Sequence, residues 1–69
     1  MEQYKGAIMN EIYDMISKYP KYSMGEILHS FTRKPMLEGN RLVEATDEQI
    51  YNAIEKAKTL EYESEFFNQ

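Results

Sequence analysis

The sequence predicts an all-α fold, a compact three-helix domain with either a short β-hairpin or an ordered loop between helices two and three. Apolar residues recur at helical spacing in three segments, and S/T-x-x-E/Q capping boxes begin two of these segments. Pro20 and Pro35 limit the first two segments. We expect residues 1–69 to form a single helical domain.

The first helix is predicted over residues 2–19 and ends at Pro20. At about 100° per residue, its apolar side chains cover about half of the circumference, which is wider than a core-facing stripe needs. The central stripe contains Tyr4, Ile8, Ile12, Met15 and Tyr19, and Met9, Tyr13 and Ile16 widen it.

The second helix is predicted over residues 23–34, where Ser23 and Glu26 form the first capping box. Spacings of three and four residues predict a compact apolar stripe, and we expect the polar side chains to face away from it. The stripe contains Met24, Ile27, Leu28 and Phe31, and the opposite side Glu26, His29, Ser30 and Arg33.

Residues 35–45 have no regular apolar period. Gly39-Asn40 is suited to a two-residue hairpin turn, because glycine tolerates positive φ at the first turn position. A loop held by the same apolar residues is the alternative, since two-residue strands are only marginally stable. The hairpin would pair Leu37 with Leu42 and Glu38 with Arg41.

The third helix is predicted over residues 46–60, with Thr46 and Gln49 as the second capping box. Lys58 falls inside its apolar sector and interrupts the pattern. The remaining residues, 61–69, form a tail rich in carboxylates and aromatic rings. The predicted stripe contains Ile50, Ala53, Ile54 and Ala57.

Composition limits the classes of function. Cysteine is absent, which excludes disulfides and thiolate metal sites, and one histidine cannot hold a structural zinc alone.

No apolar run reaches the roughly 20 residues that span a bilayer, and the N-terminal segment carries carboxylates where a signal peptide needs positive charge. We therefore expect a cytoplasmic protein. The net charge of −4 disfavours non-specific binding to nucleic acids.

No motif for catalysis, nucleotide binding or metal binding is present in the sequence. His29 is the only histidine, and no nucleophile stands at a recognisable spacing from it. Gly6, Gly25 and Gly39 are isolated, so they do not form a phosphate-binding loop. We predict no catalytic residue, no cofactor, no metal site and no small-molecule substrate, and hence not an enzyme.

Aromatic residues are in excess, with six tyrosines and three phenylalanines making up 13% of the chain. Exposed aromatic and methionine side chains mark protein interfaces. The sequence therefore predicts a protein–protein interaction module with an accessory or regulatory role, which we expect to self-associate as a homodimer. Alternatively, the tyrosines cover the core. The predicted interface contains Met9, Tyr13, Ile16, Tyr62, Phe66 and Phe67.

Two alternative functions follow from the charged residues. A basic group, Arg33, Lys34 and Arg41, lies between helix two and the predicted turn and would suit a small DNA-binding regulator. The carboxylates of helix three and of the tail would suit an acidic inhibitor or decoy from a mobile element that engages a host protein.

The runs YPKYSMGEILHSF, residues 19–31, and TDEQIYNAIEKA, residues 46–57, carry a resemblance. Together they are similar to a pattern in short uncharacterised helical proteins of gut Bacteroidetes and their mobile elements. The resemblance implies a helical fold and a gene that belongs to such a genome or mobile element. It implies no activity, because none is attached to those proteins.

Overall fold

The computed structural model describes residues 3–60, apart from the side chain of Leu60. Within this range, the backbone is all-α and contains no strand. The all-α prediction is confirmed, but two short 3-10 helices stand in addition to the three α-helices. The elements in chain order are α1 (Tyr4–Lys18), α2 (Met24–Thr32), a first 3-10 helix (Lys34–Leu37), a second 3-10 helix (Leu42–Glu44) and α3 (Asp47–Leu60).

Helix α1 packs through the central stripe that the sequence predicts. Met15 is fully buried, and Ile8 and Ile12 are half-buried against the core. The helix ends at Lys18, two residues before Pro20, and the Tyr19 amide donates a hydrogen bond of 2.9 Å to the Met15 carbonyl. A turn over residues 20–22 then leads to Ser23, the N-cap of α2.

Helix α2 begins at the predicted capping box, and both of its hydrogen bonds are present. The Glu26 amide donates to Ser23 Oγ at 3.1 Å, and the Ser23 amide donates to Glu26 Oε1 at 2.7 Å. These two bonds satisfy amides that the first helical turn leaves without partners. The helix stops at Thr32, two residues before the predicted limit.

The burial predicted for α2 is confirmed for Ile27, Phe31, Glu26 and His29 and is wrong for three other residues. Ile27 and Phe31 are buried, but the third buried residue is Ser30, which was expected to face away. Its hydroxyl is satisfied because Ser30 Oγ donates to the Ile27 carbonyl at 2.6 Å. Met24 and Leu28, which the apolar stripe includes, are exposed instead.

Of the two alternatives predicted for residues 35–45, the hairpin is wrong, and the segment forms a loop with two short 3-10 helices. Lys34–Leu37 forms a 3-10 turn that buries Met36 and Leu37, and this burial gains more apolar contact than a two-residue strand could. Glu38 and Gly39 follow in the left-handed region, with φ of 58° and 87°. Leu37 and Leu42 are not opposite partners, since Leu37 is buried and Leu42 is exposed.

Helix α3 begins at the second predicted capping box. The Gln49 amide donates to Thr46 Oγ1 at 3.1 Å, and the Thr46 amide donates to Gln49 Oε1 at 2.9 Å. The predicted stripe is confirmed at its centre, because Ala53, Ile54 and Ala57 are all buried. Its two alanines are short, so the neighbouring elements can approach the helix axis closely.

Helix α3 is the central element, packed against α1, α2 and the first 3-10 helix. Ion pairs show that α1 and α3 run in the same direction: Lys5 meets Asp47 where both helices begin, and Glu11 meets Lys58 further along both. None of the helices within residues 3–60 is long and apolar enough to cross a bilayer. The buried apolar core contains Met15, Ile27, Phe31, Met36, Leu37, Ala53, Ile54 and Ala57.

The Ser23 cap gives a direct test of how α2 is started. Ser23→Ala removes the side-chain acceptor for the Glu26 amide and should lower the free energy of unfolding by about 1 kcal/mol. Ser23→Thr keeps a hydroxyl acceptor and should retain most of the stability. Urea unfolding followed by circular dichroism measures both, and equal losses in the two variants would contradict the capping role.

Candidate functional site

The exposed side of α1 carries two large apolar side chains, Met9 and Tyr13, which are 64% and 72% exposed. Tyr4 identifies the side that faces α3, because its ring centroid lies 5.7 Å from that of Tyr51. At about 100° per residue, Tyr13 lies about 180° around α1 from Tyr4. Met9 and Tyr13 therefore lie on the side of α1 away from α3.

Helix α2 carries a second exposed apolar pair, Met24 and Leu28, which are 50% and 38% exposed. Ser30, with no exposed surface, marks the side of α2 that faces the core. Leu28 lies about 160° around the helix from Ser30, and Gly25 about 140°. Both residues therefore lie on the side of α2 opposite the core.

We define the outer face as the exposed surface of α1 that carries Met9 and Tyr13; Met24 and Leu28 form a separate exposed pair on α2. On α1, an arc of about 120°, from Ile16 to Asn10, carries no acidic or basic residue. Apart from the half-buried Ile16, its members are exposed. In order around the helix they are Ile16, Met9, Tyr13, Gly6, Ser17 and Asn10.

The structure separates the residues that the sequence predicted as an interface. Met9 and Tyr13 are exposed, whereas Ile16 is half-buried and packs against the core. Tyr62, Phe66 and Phe67 lie outside the described residues. Sequence reasoning missed Met24 and Leu28, because their spacing from the buried Ile27 and Phe31 is also that of a core stripe.

The alternative role for the tyrosines, covering the core, applies to a different group of them. Tyr19 and Tyr22 are half-buried against the core, with ring centroids 6.2 Å apart in an edge-on arrangement. Tyr51 is half-buried beside Tyr4. Tyr13 is the most exposed of the described tyrosines, and so the two roles are divided among these residues.

The predicted basic group is not a uniform cationic surface. Arg41 is paired with Glu44, since its Nη2 lies 2.8 Å from Glu44 Oε2. This pairing holds the pKa of the Glu44 carboxyl below its ordinary value. Arg33 is half-buried, and its Nε is buried with no hydrogen-bond partner within the described part of the chain. Lys34 is exposed.

A charged cluster of four side chains joins α1 to α3 on the side away from the outer face. Lys58 Nζ donates a hydrogen bond to Glu11 Oε1 and lies 3.2 Å from Asp14 Oδ2. The hydrogen bond to Lys58 lowers the pKa of Asp14, and the bond to Glu11 raises the pKa of Lys58. The fourth member, Glu55, faces Glu11 and brings a third carboxylate to the cluster.

The sequence contained one signal of this cluster, the interruption of the apolar sector of α3 by Lys58. The partners of Lys58 explain this interruption. A lysine can keep its aliphatic stem along apolar surface while its ammonium group binds a carboxylate, here those of Glu11 and Asp14. The partners could not be identified from the sequence, since Glu11 and Lys58 are 47 residues apart.

The described residues contain no group of three or more histidine, cysteine or acidic side chains placed to hold a metal ion. The charged cluster connects α1 to α3 through the pairs of Lys58 with Glu11 and Asp14. His29 is exposed on α2.

In comparisons with known proteins, no protein-family model matches this chain, and no curated protein or solved structure is significantly similar to it. The resemblance to short helical proteins of gut Bacteroidetes stays a prediction.

Lys58 should contribute to stability through the cluster. Lys58→Ala leaves Glu11, Asp14 and Glu55 without their shared cation and should lower the free energy of unfolding by about 1–3 kcal/mol. Lys56→Ala, at an exposed position of the same helix, should change it by less than about 0.5 kcal/mol. Equal effects in urea unfolding would contradict the assigned role of Lys58.

Glu55 should make stability depend on pH in a definite direction. Its carboxyl group is partly withdrawn from water and faces Glu11, and these effects raise its pKa above the ordinary value of 4.5. The folded state therefore keeps this proton to higher pH than the unfolded chain does. Consequently, the contribution of Glu55 to stability falls as the pH rises above about 4.5.

Glu55→Gln removes this charge and should raise the free energy of unfolding at pH 7, because the repulsion between Glu55 and Glu11 is relieved. At pH 4, the difference from the wild type should shrink. In a Glu11→Gln background, the gain should also be smaller, because the facing carboxylate is gone. Urea unfolding at both pH values measures these effects, and a gain that is independent of both pH and Glu11 would contradict the assignment.

Proposed function

We propose that this chain is a non-enzymatic protein–protein interaction module that acts in the cytoplasm in an accessory or regulatory role and binds through its outer face. The observation that carries the proposal is the exposure of Met9 and Tyr13, which lie within the uncharged arc of α1. Contact with a protein would remove this apolar surface from water, and burial of apolar area is the main source of affinity at such interfaces.

The chemistry of the outer face suits a binding surface. Tyrosine combines a large apolar ring with a hydroxyl group that can still meet water or a polar partner, and it is enriched among residues that dominate binding energy. Methionine is unbranched and adapts to irregular partner surfaces. Met9 and Tyr13 have a spacing of four residues, so they present one apolar ridge along α1.

The DNA-binding and acidic-decoy alternatives stay predictions without an observation that favours them. Arg41 is engaged by Glu44, which reduces the positive charge that phosphates would meet. On α3, Glu55 faces Glu11 across the charged cluster and Asp47 pairs with Lys5, and the carboxylates of the tail lie outside the described residues. The outer face is the surface with the most specific support.

Site-specific photo-crosslinking in the cells that naturally make the protein tests the proposal. A photoreactive phenylalanine analogue in place of Tyr13 should yield a discrete protein adduct, because that side chain lies on the outer face. The same analogue at Lys56, exposed on α3, should yield none. Gel electrophoresis and mass spectrometry of the adducts provide the measurement.

A second change confirms that the adduct reports the apolar surface. Met9→Ser shortens the neighbouring apolar side chain and should reduce the yield of the Tyr13 adduct about fivefold, the equivalent of about 1 kcal/mol of lost apolar burial. The proposal fails when the Tyr13 position gives no adduct, or when Lys56 gives the same adduct with the same yield.

A further inference from the structure

The tail, residues 61–69, carries most of the excess negative charge of the chain. Residues 3–60 contain eight acidic and eight basic side chains, so with His29 neutral the described part of the chain has no net formal charge. The tail adds carboxylates and aromatic rings but no basic residue: Glu61, Tyr62, Glu63, Glu65, Phe66 and Phe67. Such a segment is complementary to a surface that presents ammonium groups beside apolar side chains.

The tail begins where α3 ends, close to the end of α1. The two helices run in the same direction, and Lys58 binds Glu11 and Asp14 of α1. Leu60, the last residue of α3, follows Lys58 by two residues. Lys18, the last residue of α1, lies about one helical turn beyond Asp14. The tail therefore leaves α3 near the turn that joins α1 to α2.

We define the turn patch as the exposed side chains of Lys18, Lys21 and Met24, which lie at this turn and at the ends of the two helices beside it. Met24 is 50% exposed. The ammonium group of Lys21 lies 5.7 Å from the centroid of the Tyr22 ring, and Lys21 forms no ion pair within residues 3–60. The turn patch thus offers positive charge next to apolar surface.

The positive charge of Lys18 is only partly compensated. Its Nζ lies 3.6 Å from Asp14 Oδ2, and the same oxygen lies 3.2 Å from Lys58 Nζ, so one carboxylate is shared by two ammonium groups. Lys18 and Asp14 are both in contact with water, where an ion pair contributes little. A carboxylate of the tail would therefore gain from approaching Lys18 and Lys21.

We infer that the tail docks on the turn patch of its own chain, with its carboxylates against Lys18 and Lys21 and an aromatic ring against Met24. The length suffices, because nine extended residues reach up to about 30 Å. A ring beside a methionine sulfur adds a favourable contact to the attraction between charges. The contact would hold the end of α3 to α1 and α2, and salt would weaken it by screening.

Paramagnetic NMR of the full chain tests the inference. Because the chain has no cysteine, Ser64→Cys provides a single site for a nitroxide label in the middle of the tail. The label should broaden the backbone amide signals of Lys21 and Met24 at low salt. It should leave the signal of Val43 sharp, since Val43 lies near the opposite end of α3, a helix about 20 Å long. Reduction of the nitroxide provides the reference spectrum.

Charge variants of the labelled chain test the contacts. Lys21→Glu should lower the ratio of docked to undocked tail about fivefold, the equivalent of about 1 kcal/mol. Lys34→Glu makes the same change of charge at an exposed position beyond the far end of α2, and it should leave the broadening unchanged. Sodium chloride at 1 M, where the Debye length is about 3 Å, should reduce the broadening as Lys21→Glu does.

The outcomes that overturn the inference are distinct. Absence of broadening at Lys21 and Met24, or an equal loss with Lys34→Glu, shows that the tail does not bind the turn patch. Broadening at Met9 and Tyr13 instead would place the tail on the outer face. Broadening in a mixture of nitroxide-labelled chains and separate isotope-labelled chains would show that the tail binds a second copy.

This inference uses other residues than the outer face and does not depend on the proposed function. The turn patch is tested by the amide signals of Lys21 and Met24, whereas the outer face is tested by the crosslink at Tyr13. Failure of one result therefore leaves the other standing.

Discussion

The burial of one narrow face of α3 holds the described fold together. Ala53, Ile54 and Ala57 form that face, and α1, α2 and the first 3-10 helix all pack onto it. The two alanines allow close approach, and Ile54 fills the space between the neighbours. Because the remaining elements contact each other less than they contact α3, their positions depend on this helix.

This arrangement also explains why an apolar surface stays exposed. Helices α1 and α2 each direct one side toward α3, and no further element within residues 3–60 covers their opposite sides. A chain of this size has few elements with which to enclose its apolar residues. The exposure of Met9 and Tyr13 is thus a consequence of the number of helices.

The candidate site was predictable in part. The width of the apolar sector on α1 indicated that some of its side chains would stay uncovered, and Met9 and Tyr13 are exposed as that reasoning expects. The exposure of Met24 and Leu28 on α2 was not predicted. Their spacing of four residues is the same as that of the buried pair Ile27 and Phe31, so spacing alone does not distinguish the two pairs. Only a neighbouring helix decides which flank of such a stripe is buried.

The sequence by itself determined the features that depend on neighbouring residues: the three α-helices, the capping boxes at Ser23 and Thr46, and the central stripe of α3. The tertiary structure alone decided the 3-10 turn that buries Leu37, the burial of Ser30, and the pairing of Lys58 with α1. The physical reason is the range of the interactions. Caps and helical periods act over three or four residues, whereas burial and ion pairing depend on groups tens of residues apart that meet only after the chain has folded.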